Sequence, residues 1–204
     1  MTKDTDEQQT RMQAARESFS GKTMTETQIR QCLGIAGILN AEIHRSGSFK
    51  ESLVDYAHAF ARNEKFDAQR AEVMIRDIYG ADNGETLNQT RERLMATEET
   101  LPEAARARAL TCAETIGQLI EKPPTQPFYQ AYDRAAVTLA TELKITQTGA
   151  KALMKETFEA KHGKELYAHG KELEEVYHKP VREAEIAARK AEQLQTRSRS
   201  RSMS

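Results

Sequence analysis

Between Ile29 and Ile43 the apolar residues Ile29, Leu33, Ala36, Ile38, Leu39 and Ile43 return close to every three or four positions. That spacing places side chains on one face of an α-helix. Similar spacing recurs along most of the chain, and no segment shows a sustained every-second-residue alternation bounded by turns. A strand needs that alternation to bury one face, so the pattern confines the chain to helices packed on helices.

Capping and breaking residues divide the pattern. Thr25 as N-cap and Gly47 as stop predict a helix over about 26–45. Ser48 and Glu51 have capping-box spacing before the next run, whose Phe49, Leu53, Tyr56, Ala57 and Phe60 fall on one face. Asp67 caps a third run, with Val73, Met74, Ile75 and Ile78 expected inward, Gly80 as its left-handed end and GADNG as a turn. Two more helices follow over 85–101 and 102–122, the second with Pro102 in its first turn, where a missing N–H does no harm. Beyond the PPTQP break, Phe128, Tyr132, Val137 and Leu139 mark one helix, and Leu153, Met154 and Phe158 another.

A final long helix is expected at about 164–195, close behind the start of a tandem repeat, HGKELYA then HGKELEE. The seven-residue period puts Leu166 and Leu173 on one stripe, continued by Val176, Tyr177, Val181 and Leu194, with a kink at Pro180. Two heptads are too few for a coiled coil. The expected fold is therefore all-α, a bundle of six to eight helices over 21–195. A polar N-terminal tail covers 1–20 and a disordered Arg/Ser tail covers 196–204.

Catalytic and metal signals are weak. SGKT at 20–23 ends like a phosphate-binding loop, but Arg16 stands where the first glycine of that loop belongs, and a turn before a helix is the expectation. Glu159-x-x-His162 and Glu175-x-x-His178 have the spacing of helical metal ligands, and Asp55-x-x-His58 is a looser relative. Their surroundings, KHGKE and YHKP, read as solvated charge, so neither a metal nor a cofactor is expected. Cys32 and Cys112 lie in apolar helical stretches without a CxxC partner and read as buried, reduced thiols. Without a nucleophile motif or HExxH, the expectation is a protein that is not an enzyme. MTKDTDEQQTRMQ has no apolar core of a signal peptide, and no run of about eighteen apolar residues occurs, so synthesis in the cytoplasm without membrane insertion is expected.

Charge is unevenly placed. Residues 179–204 hold seven Lys and Arg against three Glu, a net +4, so of the whole chain's −1 the first 178 residues carry −5. An acidic body argues against a nucleic-acid binder that uses its whole folded surface. The basic end is RKAEQLQTRSRSRSMS, in which Arg189, Arg197, Arg199 and Arg201 form the arrangement R-x7-R-x-R-x-R.

That arrangement resembles the carboxy-terminal transport signal of proteins moved by vir-type type IV secretion systems of plant-transforming and related bacteria. SGSFKESLVDYAHAFARNEKFDAQRAEVMIRDIYG with GETLNQTRERL, and later GKELEEVYHKPVREAEIAARKAE, look like the carboxy-terminal helical region of conjugative relaxases from rhizobial plasmids. The relaxase nuclease, with its catalytic tyrosine and histidine cluster, has no counterpart here. The resemblance implies a non-catalytic secretion or conjugation substrate in the bacterial cytoplasm, passed on to a recipient or host cell. Its partners would be a type IV coupling protein or a secretion chaperone, and Arg189, Arg197, Arg199 and Arg201 would be the signal that the coupling protein reads. The alternatives are a nucleic-acid-binding accessory that meets DNA or a relaxase during plasmid transfer, and a helical protein-protein adaptor. Oligomeric state stays open.

Overall fold

A computed structural model describes residues 2–121 and 126–201, with side chains for 6–121 and 126–192. Most of the PPTQP break, and residues 202–204 of the Arg/Ser tail, lie outside the described residues. Among the described residues every regular element is helical. The helices are α1 (Thr2–Glu17), α2 (Glu26–Ser46), α3 (Lys50–Glu64), α4 (Ala68–Asn83), α5 (Leu87–Glu99) and α6 (Glu103–Glu121). They continue with α7 (Phe128–Leu143), α8 (Gln147–His162), α9 (Leu166–Tyr177) and α10 (Lys179–Arg201). The all-α expectation holds, and the expected six to eight helices are exceeded. Where the sequence reading draws one bundle over 21–195, the chain groups into two compact units.

The first unit comprises Met1–Leu101 with Leu143–Gly149. Its core joins α2, α3, α4 and α5 through Ile29, Leu39, Ile43, Leu53, Phe60, Ile75, Ile78 and Leu94, all buried. Tyr79 is fully buried among them, and its hydroxyl meets Asn40 Oδ1 at 2.9 Å and Thr90 Oγ1 at 3.0 Å, so the polar end of the ring is satisfied inside the core. Thr25 caps α2 in a full capping box: its Oγ1 accepts from Gln28 N–H at 3.3 Å and its own N–H donates to Gln28 Oε1 at 2.9 Å. Gly47 closes α2 at φ +70°, as expected, and Asp67 Oδ1 caps α4 by accepting from Arg70 N–H at 2.8 Å. Thr86 and Gln89 repeat the capping box on α5.

Several sequence expectations are corrected in this unit. Residues 2–17 are not a loose tail but helix α1, pinned by Ala15 in the core and by the two-pronged pair of Arg11 to Asp82 at 2.7 and 2.6 Å. SGKT, by contrast, is the expected turn before a helix, a 3-10 turn at Gly21–Thr23, and Asp77 Oδ2 accepts the Ser20 N–H at 2.6 Å. Gly21 lies against the end of α1, and a Cβ there would overlap the Ala15 carbonyl. The Ser48–Glu51 capping box does not form, because Phe49 occupies the N-cap position with its ring buried, which moves the helix start on by one residue. Gly80 does not end α4. The helix runs through Ala81, Asp82 and Asn83 to Gly84 at φ +73°, held there by Arg11 on Asp82 and by Asn83 Nδ2 donating to the Tyr79 carbonyl at 3.0 Å. Val73, expected inward, is exposed.

The segment Leu143–Gly149 belongs to this unit through Ile145 and Thr146, both buried. Thr146 N–H donates to Glu98 Oε1 at 2.7 Å, and Thr146 Oγ1 accepts from Gly149 N–H at 2.9 Å, satisfying an amide in the first turn of α8.

The second unit comprises Pro102–Glu142 and Ala150–Ser204. Ala105, Ala109, Ile116 and Ile120 of α6, Phe128, Ala131 and Leu139 of α7, Leu153, Met154 and Phe158 of α8 and Leu166 of α9 are buried. Val137, one of the apolar residues that mark α7 in the sequence, is exposed. Arg108 holds Glu142 with two prongs at 2.6 and 2.7 Å, and Arg106 meets Glu156 at 2.6 Å.

The tandem repeat is not a structural repeat. In the first copy His162 ends α8 and Gly163 turns at φ +63°, whereas in the second copy Gly170 is buried in the middle of α9 against the Phe128 ring. The long helix expected at 164–195 is two helices, separated at His178 and resumed with Pro180 in the first turn of α10. The stripe also fails beyond Leu166. Val176, Val181 and Ile186 are exposed, and Leu173 is half-buried. Helix α10 extends to Arg201, within the tail expected from 196.

Candidate functional site

Arg189, Arg197, Arg199 and Arg201, the four residues singled out in the sequence, all stand on α10. The Arg189 side chain is exposed, and those of the other three lie outside the described side chains. Every described side chain from Lys179 to Glu192 is exposed, so the helix carries its charges in solvent along its described length. Within its unit α10 packs against α9, and the α9–α10 junction fixes how it starts.

That junction is buried and polar. Glu174 of α9 accepts the Phe128 N–H at 2.5 Å and pairs with Lys171 Nζ at 2.6 Å. Burial pushes the Glu174 carboxyl up, but the Lys171 ammonium and the Phe128 N–H outweigh it, and the net direction is downward. Phe128 opens α7, so the Glu174 carboxylate satisfies an amide at a helix N-terminus and sits where the helix dipole favours negative charge. His178, four residues on, is buried in the α9–α10 turn with Nε2 at 3.3 Å from the Ile120 carbonyl of α6. Glu175, the residue paired with His178 by spacing, instead meets Lys179 in solvent at 2.9 Å.

Above the junction Phe128, Tyr129, Tyr132 and Tyr167 form a ring cluster, with centroid separations of 5.5 to 5.9 Å. Lys171 Nζ lies over the Tyr129 and Tyr167 rings at 5.1 and 5.7 Å. A cleft of about 500 Å³ opens beside it, lined by Pro127, Tyr129, Lys171, Glu174, Lys179 and Arg182 among others. Its charges are mixed and largely paired with one another, so the cleft braces the root of α10 rather than presenting one sign of charge.

Cys32 and Cys112 are both free and buried. Burial, with Glu64 nearby, pushes the Cys32 thiol up to about 12, and burial raises that of Cys112 too, away from the thiolate form a nucleophile needs. His162, from the Glu159 pair, turns to Glu114 at 3.0 Å, and no group of three or more His, Cys, Asp or Glu that could hold a metal comes together among the described residues. No helix among them is long and apolar enough to cross a membrane.

Sequence reasoning missed Glu174, Lys171 and Gly170, and the Glu-x-x-His spacing landed one residue away, on Glu175. A glycine in mid-helix can mark close approach of another element, but both HGKE copies carry a glycine and read alike. Compared with protein-family models, curated proteins and solved structures, the chain matches none.

Proposed function

We propose that this chain is a non-catalytic helical substrate of a bacterial type IV secretion or conjugation system, delivered from the bacterial cytoplasm into a recipient or host cell. In this reading Arg189, Arg197, Arg199 and Arg201 are the transport signal, and an acidic surface of the coupling protein, or of a secretion chaperone, is the partner. What supports it is the exposure of α10. A capture signal has to be presented in solvent away from a core, and every described side chain from Lys179 to Glu192 is so presented. Opposite charge then speeds encounter with an acidic receptor.

The test is transfer of a reporter fused ahead of the chain, from a donor bacterium carrying a vir-type system. Replacing Arg197, Arg199 and Arg201 together with alanine abolishes transfer while leaving helical circular dichroism in place. Undiminished transfer of that triple variant overturns the reading.

A further inference from the structure

Helix α10 runs without a break from Lys179 to Arg201, so the spacing of its basic residues acquires a three-dimensional meaning. At about 100° per residue, positions 179, 182, 189, 190, 197 and 201 fall within one arc of roughly 120°, and they are occupied by Lys179, Arg182, Arg189, Lys190, Arg197 and Arg201. Val181, Ala184, Ala187, Ala188, Ala191 and Leu194 fall on the other side, while the exposed Ile186 lies within the basic arc. Arg199 is the exception: it falls about 80° outside the basic arc, in register with Val181. The described members, Lys179, Arg182, Arg189 and Lys190, are all exposed.

We infer that the partner reads α10 as a folded helix, through this basic face, and not as an extended string of arginines. The inference rests on the transport reading above and deepens it. It adds Arg182 and Lys190 to the recognised set and makes Arg199 the least important of the comb arginines. From position 182 to 201 the face is about 28 Å long at 1.5 Å per residue, so the partner is a protein carrying an acidic strip of similar length. Charge complementarity favours a protein over nucleic acid. Glu183 stands at the edge of the basic arc, and Glu185 lies on its flank. A protein surface can place cations opposite Glu183 and Glu185, whereas a uniform phosphate chain repels them.

The experiment measures reporter transfer for full-length variants, alongside their retention on immobilised poly-L-glutamate and on duplex DNA. R182A, K190A, R197A and R201A each lower transfer by about 2- to 5-fold, R182A with K190A by about 10-fold, and R199A by less than any of them. The same order appears in poly-L-glutamate retention. A187P, which breaks α10 upstream of the comb without removing a charge, lowers transfer as far as the triple comb variant does. If R199A costs as much as R197A while R182A, K190A and A187P cost nothing, the signal is linear: this inference fails and the transport reading stands. If the triple comb variant transfers undiminished, both fail. Retention on duplex DNA that exceeds retention on poly-L-glutamate and follows the same register overturns the acidic-protein partner.

Discussion

At Gly170 the chain has no Cβ, and the Phe128 ring fills the space one would occupy. The approach matters because the same ring belongs to the residue whose N–H donates to Glu174, so α7 and α9 are locked at one point by both packing and a hydrogen bond. Adding a single methyl must push the ring off its site and stretch that bond. G170A is expected to lower stability by about 1–3 kcal/mol, read as a shift in the urea midpoint by circular dichroism. Combining it with F128L, which shortens the intruding ring, recovers part of the loss. A G170A protein as stable as the parent shows that the contact is slack. Nothing in the sequence distinguishes Gly170 from Gly163, because both stand in the same HGKEL. Their different roles come from what packs on them, and that information lies at Phe128, far away in the chain.

Helix starts and stops were legible where side chain and backbone solve the problem locally. Thr25, Asp67 and Gly47 do what their types do, because capping needs only residues three or four positions away. T25A removes the oxygen that accepts Gln28 N–H and is expected to cost about 1 kcal/mol, while T25S stays near the parent, both read from the urea midpoint. Equal stability of T25A and the parent shows that solvent caps α2 as well as the side chain does. Where distant groups intervene, the local rule loses. Phe49 outcompetes Ser48 at the start of α3 because burying an aromatic ring is worth more than one exposed cap. Gly80 is overruled by Arg11, which reaches across from α1 to hold Asp82 within α4. Helix α1 itself was illegible because its apolar content is small, and what anchors it is Ala15 and Met12 on the core with the ion pairs of Arg11 to Asp82 and Arg16 to Glu26. The exposed Val73 and Val137 show the converse, since apolar type alone does not select the inward face. Arg189 and the comb were singled out by spacing and lie on one helix, but the face shared by Arg189, Arg197 and Arg201, from which Arg199 departs, became visible only once α10 proved continuous through Arg201.

Across the whole molecule, carboxylates held by cations set the response to acid. Arg30 and Arg16 lower the Glu26 carboxyl, Arg93 lowers Glu85, Lys161 and His162 lower Glu114, and Arg108 lowers Glu142. For Glu174 burial works the other way, but Lys171 and Phe128 prevail. A carboxyl whose folded value lies below its unfolded one, near 4.5, leaves the unfolded chain binding more protons between the two. Its stabilisation is present above the unfolded value and is lost as pH falls through the folded one. Urea midpoints are therefore expected to be nearly level from pH 7 to about pH 5.5 and to fall steadily below about pH 4.5. A midpoint that rises on acidification would contradict these pairings. Most of the pairs are exposed, and 0.5 M NaCl at pH 7 changes the midpoint little.

The deep placement of Cys32 and Cys112 has a practical consequence for anyone who wishes to watch α10 at work. With both native sulfurs shielded and held as thiols, maleimide dyes at neutral pH find almost no thiolate on the parent chain. A cysteine installed in place of exposed Glu185 becomes the one fast-reacting handle, and a fluorophore there reports docking of the helix without any need to delete the native pair.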